Sequence, residues 1–459
     1  MRFSGPMRVH FVGISGVGMS AIAKVLLERG FQITGSDLKR SRASVLLEAM
    51  GAEIHVGHDA ALIEGADVVV VSSAIPATNV EVTAARAAGV ELMTRGDALA
   101  ALVNQAESVI VAGTHGKTTT TSMIVSVLGS AGMDPTYLVG GGLNDSGTNA
   151  RSGTGRVVAE SDESDGSFLL LRPSVAVVTN VDADHLDHWG SIANIRDAFR
   201  TFLSAVSETV VIPAGEKMLL EESAGPKVRT ITFGSGGDVT ARDATLHGDR
   251  TEFILAFEGS EGHVSLSVPG EYNVANALAA AGGCIAAGVD VAEVARGLSR
   301  FHGVERRFQV RGSVQGITVV DDYAHNPSKV RAVLSAAKLG SEDGRWDQVV
   351  AVFQPHRYSR TRSFYRDFGC AFADADRIVV TDIYGAGEEP VPGVTGKLVA
   401  DAVCSTLPGR PVAYLPHRDE LLDYLEHITH RGDVLLTLGA GDITTVGEEF
   451  LSRRGALWT

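Results

Sequence analysis

Short apolar runs recur along this chain, and each leads directly into glycine or polar residues. RVHFVG (8–13) runs into GISGVGM, and VIVAGT (109–114) runs into HGKTTT. RIVVTDIYGAG (377–387) and DVLLTLGAGDIT (433–444) repeat the arrangement. Helical stretches lie between, such as Gly18 to Arg29 closed by Gly30, and the alanine-rich 271–288. β-Branched runs alternating with helices specify parallel strands joined by crossover helices, so the sequence predicts a doubly wound α/β fold. In such sheets ligands bind outside the carboxyl ends of the strands, where these glycines and polar residues fall.

A chain of 459 residues suggests roughly three domains. The pattern places a Rossmann-like N-terminal domain at 1–104, a central P-loop ATPase-type α/β domain at 105–311, and a C-terminal Rossmann-like α/β domain at 312–459. LMTRGDALAALVNQAES (92–108) reads as a helical connection into the second, and 228–268 as short alternating strands. Forty basic against 55 acidic residues give a formal charge of −15, which argues against nucleic acid and anionic membranes as partners. Three scattered cysteines without a C-x-x-C fit a reducing compartment and no zinc site. No apolar run reaches the ~18 residues of a spanning helix and no signal-peptide pattern opens the chain, so the expectation is a cytoplasmic protein.

VAGTHGKTTTTS (111–122) departs from the phosphate-loop pattern G-x-x-x-x-G-K-[ST]. The first glycine should stand at 111, where the chain has Val111; Gly113 comes two residues late. The context is nevertheless right: strand, glycine turn (Gly113, Thr114, His115, Gly116), Lys117, helix. Backbone N–H groups and the helix dipole there attract phosphate. Lys117 would reach the β/γ-phosphates, and Thr118 or Thr119 could ligate magnesium. His115 has no role legible at this level. A metal partner is expected on a neighbouring strand, and Glu160 at the end of RVVAE is placed for it. Asp162, Glu163 and Asp165 read as a solvated acidic loop instead. NVDADH adds Asp182, Asp184 and His185, the histidine being an odd companion for magnesium.

The N-terminal loop Gly13-Ile14-Ser15-Gly16-Val17-Gly18, followed by Met19, imitates G-x-G-x-x-G with Ser15 at the second glycine. Asp37 ends the next strand, where an acidic residue holds ribose hydroxyls. A nucleotide or dinucleotide is the implied ligand. The third domain offers DDYAHNP (321–327) and QPHRYSRT (354–361), with arginines suited to carboxylate or phosphate. Arg306-Arg307 could send one guanidinium toward phosphates.

Taken together, GTHGKTTT, AESDESD, NVDADHLDHW, EYNVANALAA, GVERRF, DDYAHNP and FQPHRYSRTR resemble the motifs of the Mur ligases, in family order and over essentially the whole chain. That family makes amide bonds with ATP in building peptidoglycan precursors. GISGVGMSAIAKVL resembles its alanine-adding branch. The resemblance implies that the first domain holds a UDP-sugar, the central one ATP, and that the last closes over both. UDP-N-acetylmuramate and L-alanine would be the substrates, with ATP and two magnesium ions. Lys117 and Thr118 would hold the triphosphate and first metal, and Glu160 and His185 would be metal ligands. Asn273 and Asn276 would contact the adenine side of ATP, Arg307 and Asp322 phosphate and ribose. His325, Arg357 and Arg360 would orient the amino acid and the reacting carboxylate. Gly13, Ser15, Gly16, Val17, Gly18, Met19, Asp37, Ser72 and Ser73 would line the UDP-sugar site. Several relatives carry a carbamoylated lysine about fifteen residues after the metal-ligand histidine. Here no lysine lies between His185 and Lys217, and Arg200 stands near that position, so no carbamate is expected.

Three alternatives stay open on sequence: a recycling ligase attaching a tripeptide to the same nucleotide, a nicotinamide-dependent oxidoreductase using GISGVGM and Asp37, and a non-catalytic nucleotide-binding regulator. The oxidoreductase leaves the Lys117 loop and the acidic clusters unexplained. Oligomeric state is not legible.

Overall fold

A computed structural model describes residues 3, 5–184, 186–216, 219 and 228–456. The chain divides into two compact units. The first comprises residues 1–243, 253–264 and 274–302, the second 244–252, 265–273 and 303–459. The second unit takes up the chain from Gly303 onward, together with two stretches between Ala244 and Asn273.

The first unit carries two sheets. Strands β1 (Arg8–Val12), β2 (Gln32–Asp37), β3 (Glu53–Val56), β4 (Val68–Val71) and β5 (Glu91–Thr94) form a wholly parallel sheet in the order β3-β2-β1-β4-β5. The order reverses beside β1, so the turn leaving β1 opens at the switch point of the sheet. The second sheet contains β6 (Ser108–Ala112), β7 (Thr136–Leu138), β8 (Ala150–Arg151), β9 (Val157–Glu160), β10 (Val175–Val178), β11 (Thr209–Pro213) and β12 (Arg229–Phe233), in the order β12-β11-β10-β6-β9-β7-β8. Here β6 is central, and its loop opens between β9 and β10. One apolar cluster runs from Val9 and Phe11 through Ile110 and Phe199 to Ile212, so the two sheets share a continuous core.

The expected helical connection at 92–108 is corrected in part. Residues 92–94 complete the edge strand β5, and only Arg95–Val103 is helical. Thr94 explains the break. Its hydroxyl accepts from the Asp97 N–H at 3.1 Å while Asp97 accepts from the Thr94 N–H at 2.9 Å, a reciprocal cap that starts a helix there.

Strands β13 (Thr240–Leu246), β14 (Thr251–Phe257) and β15 (Ser260–Leu266) follow, as the alternation at 228–268 predicts. The second unit is built on β16 (Gln309–Val314), β17 (Ile317–Asp322), β18 (Val349–Phe353), β19 (Arg377–Val380), β20 (Val412–Tyr414) and β21 (Val434–Leu438), in the order β16-β17-β21-β18-β19-β20. Only β16 is antiparallel. The central strands β18 and β21 are buried on both faces, as expected where helices cover a parallel sheet. Among the described residues no helix is long and apolar enough to cross a membrane.

Candidate active site and nucleotide loops

The loop after β6 takes its shape from two glycines. Gly113 has φ +129° and Gly116 φ +81°, backbone that side-chain-bearing residues rarely adopt. A Cβ on Gly113 would collide with Thr179 Oγ1, and one on Gly116 with Asn276 Oδ1. The loop is clasped from β10 by Thr179 and Asn180. The Thr114 N–H donates to the Asn180 carbonyl at 3.1 Å, and the His115 N–H to Asn180 Oδ1 at 2.9 Å. The His115 carbonyl accepts from Thr179 Oγ1 at 2.6 Å and Asn180 Nδ2 at 3.0 Å. His115 is therefore held by its backbone, a role no side-chain argument finds. The TN of VTNVD was its only sequence signal.

Gly116 begins the helix Lys117–Ser130 with no side chain capping it, so its first N–H groups are left for an anion. Thr119, Thr120 and Thr121 are buried, and the Thr121 hydroxyl donates to the Lys117 carbonyl at 2.8 Å. Thr118, half-buried, is the hydroxyl placed at the rim. Lys117 Nζ donates to the Gly113 carbonyl at 2.6 Å and to Glu163 Oε2 at 2.7 Å, with Asp162 Oδ1 at 3.7 Å. Burial would lower the lysine pKa, but Glu163, Asp162 and Glu160 outweigh it and hold the ammonium charged.

Glu163 is thus a correction. It was expected on a solvated loop, yet it is 2% exposed and forms the closest ion pair of Lys117. The Trp189 indole N–H donates to its backbone carbonyl at 3.0 Å, a long-range contact that draws the residue inward. Asp162 and Asp165 remain partly exposed, and Asp165 pairs with Arg95 at 3.1 Å.

Glu160 ends β9 directly opposite Val111, and the following Ser161 N–H donates to the Val111 carbonyl at 2.9 Å. Its carboxylate lies against Gly140, where any Cβ would strike it. His185 lies outside the described residues. Thr118 in the first turn of the helix and Glu160 at the end of β9 each offer an oxygen donor of the kind magnesium takes. Among the described residues no three His, Cys, Asp or Glu side chains converge into a cage. Arg200 pairs with Asp197 at 2.6 Å.

In the N-terminal loop, Gly13 has φ +84°, and a Cβ there would stand 3.0 Å from Ser72 Cβ at the end of β4. Gly13 and Ile14 N–H groups donate to the Ser36 carbonyl at 2.9 and 3.1 Å. The Ser15 N–H donates to Asp37 Oδ2 at 3.0 Å, so the two predicted halves of the nucleotide site meet. Gly16 starts the helix Val17–Glu28 without a side-chain cap, and Gly18 lies under Arg95, whose Cδ would be 3.1 Å from an added Cβ. Met19 is 1% exposed, in the core, so any part it takes is through its backbone. Ser73 is exposed beside Ser72. Asn276 sits on the phosphate loop at Gly116, with Thr120 Oγ1 at 3.5 Å from its Oδ1.

The second unit assembles its own cluster at the carboxyl ends of β17 and β18. Asp322 accepts from the Phe308 and Ala324 N–H groups, both at 2.7 Å, and burial pushes its carboxyl up to about 6. Asn273 is buried, its Nδ2 donating to the Pro269 carbonyl at 2.8 Å. Arg306, not Arg307, makes the structural pair: its Nε meets the buried Asp321 at 3.2 Å and its Nη2 the Gly439 carbonyl at 2.7 Å. Arg307 lies over the Tyr323 ring, 5.2 Å from its centre. His325 Nδ1 is 2.8 Å from the Tyr323 carbonyl, and burial followed by Lys329 and Arg360 pushes its pKa well down. Its ring centre is 5.9 Å from that of His356, which stacks on Tyr384. Arg360 Nη1 is 3.2 Å from His356 Nδ1. Burial, then Arg360 and Arg357, lower His356 to about 4. Arg357 is exposed with φ +68°, anchored by its N–H to the Tyr384 carbonyl at 2.8 Å. His356 and Tyr384 were not singled out from sequence, although His356 sits inside the QPHRY motif.

Three family models match the chain: "Mur ligase family, catalytic domain" over residues 8–107, "Mur ligase middle domain" over 111–284, and "Mur ligase, glutamate ligase domain" over 306–441. A UDP-N-acetylmuramate–L-alanine ligase of Geobacter sp. (strain M21) is 45% identical over 452 residues, 97% of each chain. The enzyme of that name from Rubrobacter xylanophilus is 46% identical over 461 residues, 97% of this chain and all of its own. Among solved structures, the UDP-N-acetylmuramate–alanine ligase of Thermotoga maritima superposes with a TM-score of 0.84 at 31% identity, covering 98% of this chain and 100% of its own. A murein peptide ligase from Psychrobacter arcticus gives 0.71 at 25% identity, over 98% and 99%.

Proposed function

The chain belongs to the Mur ligase family, and from that premise we propose that it joins L-alanine to the lactoyl carboxylate of UDP-N-acetylmuramate at the expense of ATP. The observation that carries the reading is the pairing of two uncapped glycine-rich helix starts within one compact unit, Gly116–Lys117 and Gly16–Val17. Two such loops suit two nucleotides, one consumed and one carried as the handle of the substrate. The relatives at 45–46% identity along nearly the full length bear the alanine ligase name, which favours alanine over the tripeptide of the recycling branch.

A carboxylate is a poor electrophile. Transfer of the γ-phosphoryl group of ATP to it makes an acyl phosphate, which the amine of alanine attacks with loss of phosphate. Lys117 would neutralise charge on the transferring group, and the N–H groups heading its helix would hold the phosphates. Thr118, Glu160 and His185 would hold magnesium, which supplies charge neutralisation at the phosphates. Asn273, Asn276, Arg307 and Asp322 would hold the adenosine and phosphate ends of ATP. Gly13 to Met19, Asp37, Ser72 and Ser73 would hold the UDP-sugar, with Asp37 on ribose. In the second unit His325, Arg357 and Arg360 would bind the amino acid. A His325 held neutral with its Nδ1–H on the Tyr323 carbonyl leaves Nε2 free to accept a proton from an incoming amine. Three domains at 1–104, 105–311 and 312–459 would divide these tasks.

Phosphate release with UDP-N-acetylmuramate, ATP and a panel of amino acids, the tripeptide included, tests the reading. Release should require both the sugar nucleotide and alanine. Release that ignores the sugar nucleotide would sink it.

A further inference from the structure

Beneath the N-terminal glycine loop lies a buried carboxylate that the ligation chemistry does not use. Glu81, in the helix Val80–Ala88, is 0% exposed. Its Oε2 accepts from Ser36 Oγ at 2.7 Å and from His10 Nε2 at 3.1 Å. Its Oε1 accepts from His58 Nδ1 and from the Asp59 N–H, both at 3.1 Å. His10 is itself fully buried, with Nδ1 2.8 Å from Thr34 Oγ1. Burial alone would push the carboxyl up, but hydrogen bonds from His10, Ser36 and His58 outweigh it and hold Glu81 below the usual carboxylate range. Its ion-pair partners among the described residues are the two histidines.

An ionised carboxylate only accepts hydrogen bonds. Both ring nitrogens facing Glu81 therefore carry the proton, Nε2 of His10 and Nδ1 of His58. A neutral His58 is then left with its lone pair on Nε2. His58 follows β3 after Gly57, whose N–H donates to the Asp37 carbonyl at 2.8 Å, and 13% of the His58 side chain is exposed. One oxygen of Glu81 thus grips Ser36, whose carbonyl carries the glycine loop. The other grips a histidine that opens to solvent beside Asp37.

We propose that Glu81 is a positioning residue of the nucleotide site, fixing His58 so that its Nε2 accepts a hydrogen bond from a ribose hydroxyl of the uridine nucleotide beside Asp37. This rests on the reading that the first domain holds the UDP-sugar. Glutamine at 81 offers one oxygen and one NH2, so one of the two imidazoles must reverse its tautomer or lose its bond.

The test compares E81Q, H58A and the double variant by steady-state kinetics, with 15N-histidine NMR on wild type and E81Q. The KM for UDP-N-acetylmuramate should rise about tenfold in each single variant, the worth of one hydrogen bond. The KM for ATP and kcat at saturating sugar should move less than about twofold. The double variant should be no worse than H58A, because a positioning residue acts through the residue it positions. NMR should show His58 protonated on Nδ1 in wild type and altered in E81Q. Additive penalties, an unmoved sugar KM, or a wild-type His58 protonated on Nε2 would overturn the proposal while leaving the ligase reading standing. A wild-type enzyme that ignores the sugar nucleotide would overturn that reading instead. Should E81Q not fold, the H58A kinetics and the wild-type tautomer still decide.

Discussion

Lys117 Nζ stands 2.7 Å from Glu163 Oε2, and both side chains are withdrawn from solvent, 15% and 3% exposed. The residue at the head of the phosphate loop is therefore held by a buried carboxylate, with the Gly113 carbonyl as its second partner at 2.6 Å. If the loop takes a triphosphate, its phosphates must compete with Glu163 for the ammonium. The pair keeps the lysine charged and oriented without a nucleotide.

Replacing Lys117 by alanine should then have two separable effects. Phosphate release should fall by about 10²-fold or more, the usual loss when a positioned charge is removed from a developing anion. Stability should also fall, by about 3 kcal/mol, because Glu163 stays buried without the cation that offsets its burial. K117A/E163Q should recover most of that stability and none of the activity. Urea unfolding beside the phosphate assay checks it, and a double variant as unstable as K117A would refute the pair.

Gly116 makes a second prediction. Alanine there meets both the φ of +81° and Asn276 Oδ1. The backbone term alone costs about 1–2 kcal/mol. The collision must push Asn276 or the loop aside. G116A should raise the KM for ATP by at least about tenfold while the KM for the sugar nucleotide changes little. G132A, at φ +72° with nothing within 4 Å of its Cβ, is the control. It shares the backbone strain and should leave the KM for ATP alone.

What was legible in the sequence follows from this contrast. Lys117 and Gly116 announce themselves locally, because a glycine turn between a β-branched strand and a helix has few other uses. Asp37 is legible for the same reason, at the end of the strand beside a glycine loop. Glu163 is not. In SDESD every position is acidic or hydroxylated, and Trp189, 26 residues on, decides which carboxylate turns inward. His115 is clasped through its N–H and carbonyl, for which the TN of VTNVD is the only signal in the sequence. Residues 92–94 continue a helical-looking pattern, and the reciprocal cap of Thr94 and Asp97 overrides it.

Asp322 gives a dependence on pH. Burial raises its carboxyl from an ordinary 3.8 to about 6. A group whose pKa is raised on folding contributes fully below its unfolded value, and that contribution is lost as pH rises through the folded one. The folded state therefore gives up stability between about pH 4 and pH 6 on account of this group. Two units correspond to roughly 3 kcal/mol. D322N lacks the titration. The unfolding free energy of D322N relative to wild type should grow by up to that amount from pH 4 to pH 7. Denaturation curves at the two ends check it, and a difference that is flat with pH would remove Asp322 from the account.

Arg357 places function against stability. Its φ of +68° is costly for any residue with a Cβ, about 1–3 kcal/mol in such regions. The conformation is imposed by its position: the N–H must reach the Tyr384 carbonyl while the next residue, Tyr358, begins a helix. Glycine would relieve the strain and keep that hydrogen bond. R357G should therefore be as stable as wild type or more so, by about 1 kcal/mol, although it loses the guanidinium. Alanine keeps the strain and loses the charge, so R357A should not be stabilised. If the guanidinium binds the carboxylate of the amino acid, both variants should raise the KM for alanine by about tenfold or more, as expected for a lost charged hydrogen bond. Thermal unfolding of the two variants separates backbone from side chain, and an R357G less stable than R357A would show that the turn carries no strain.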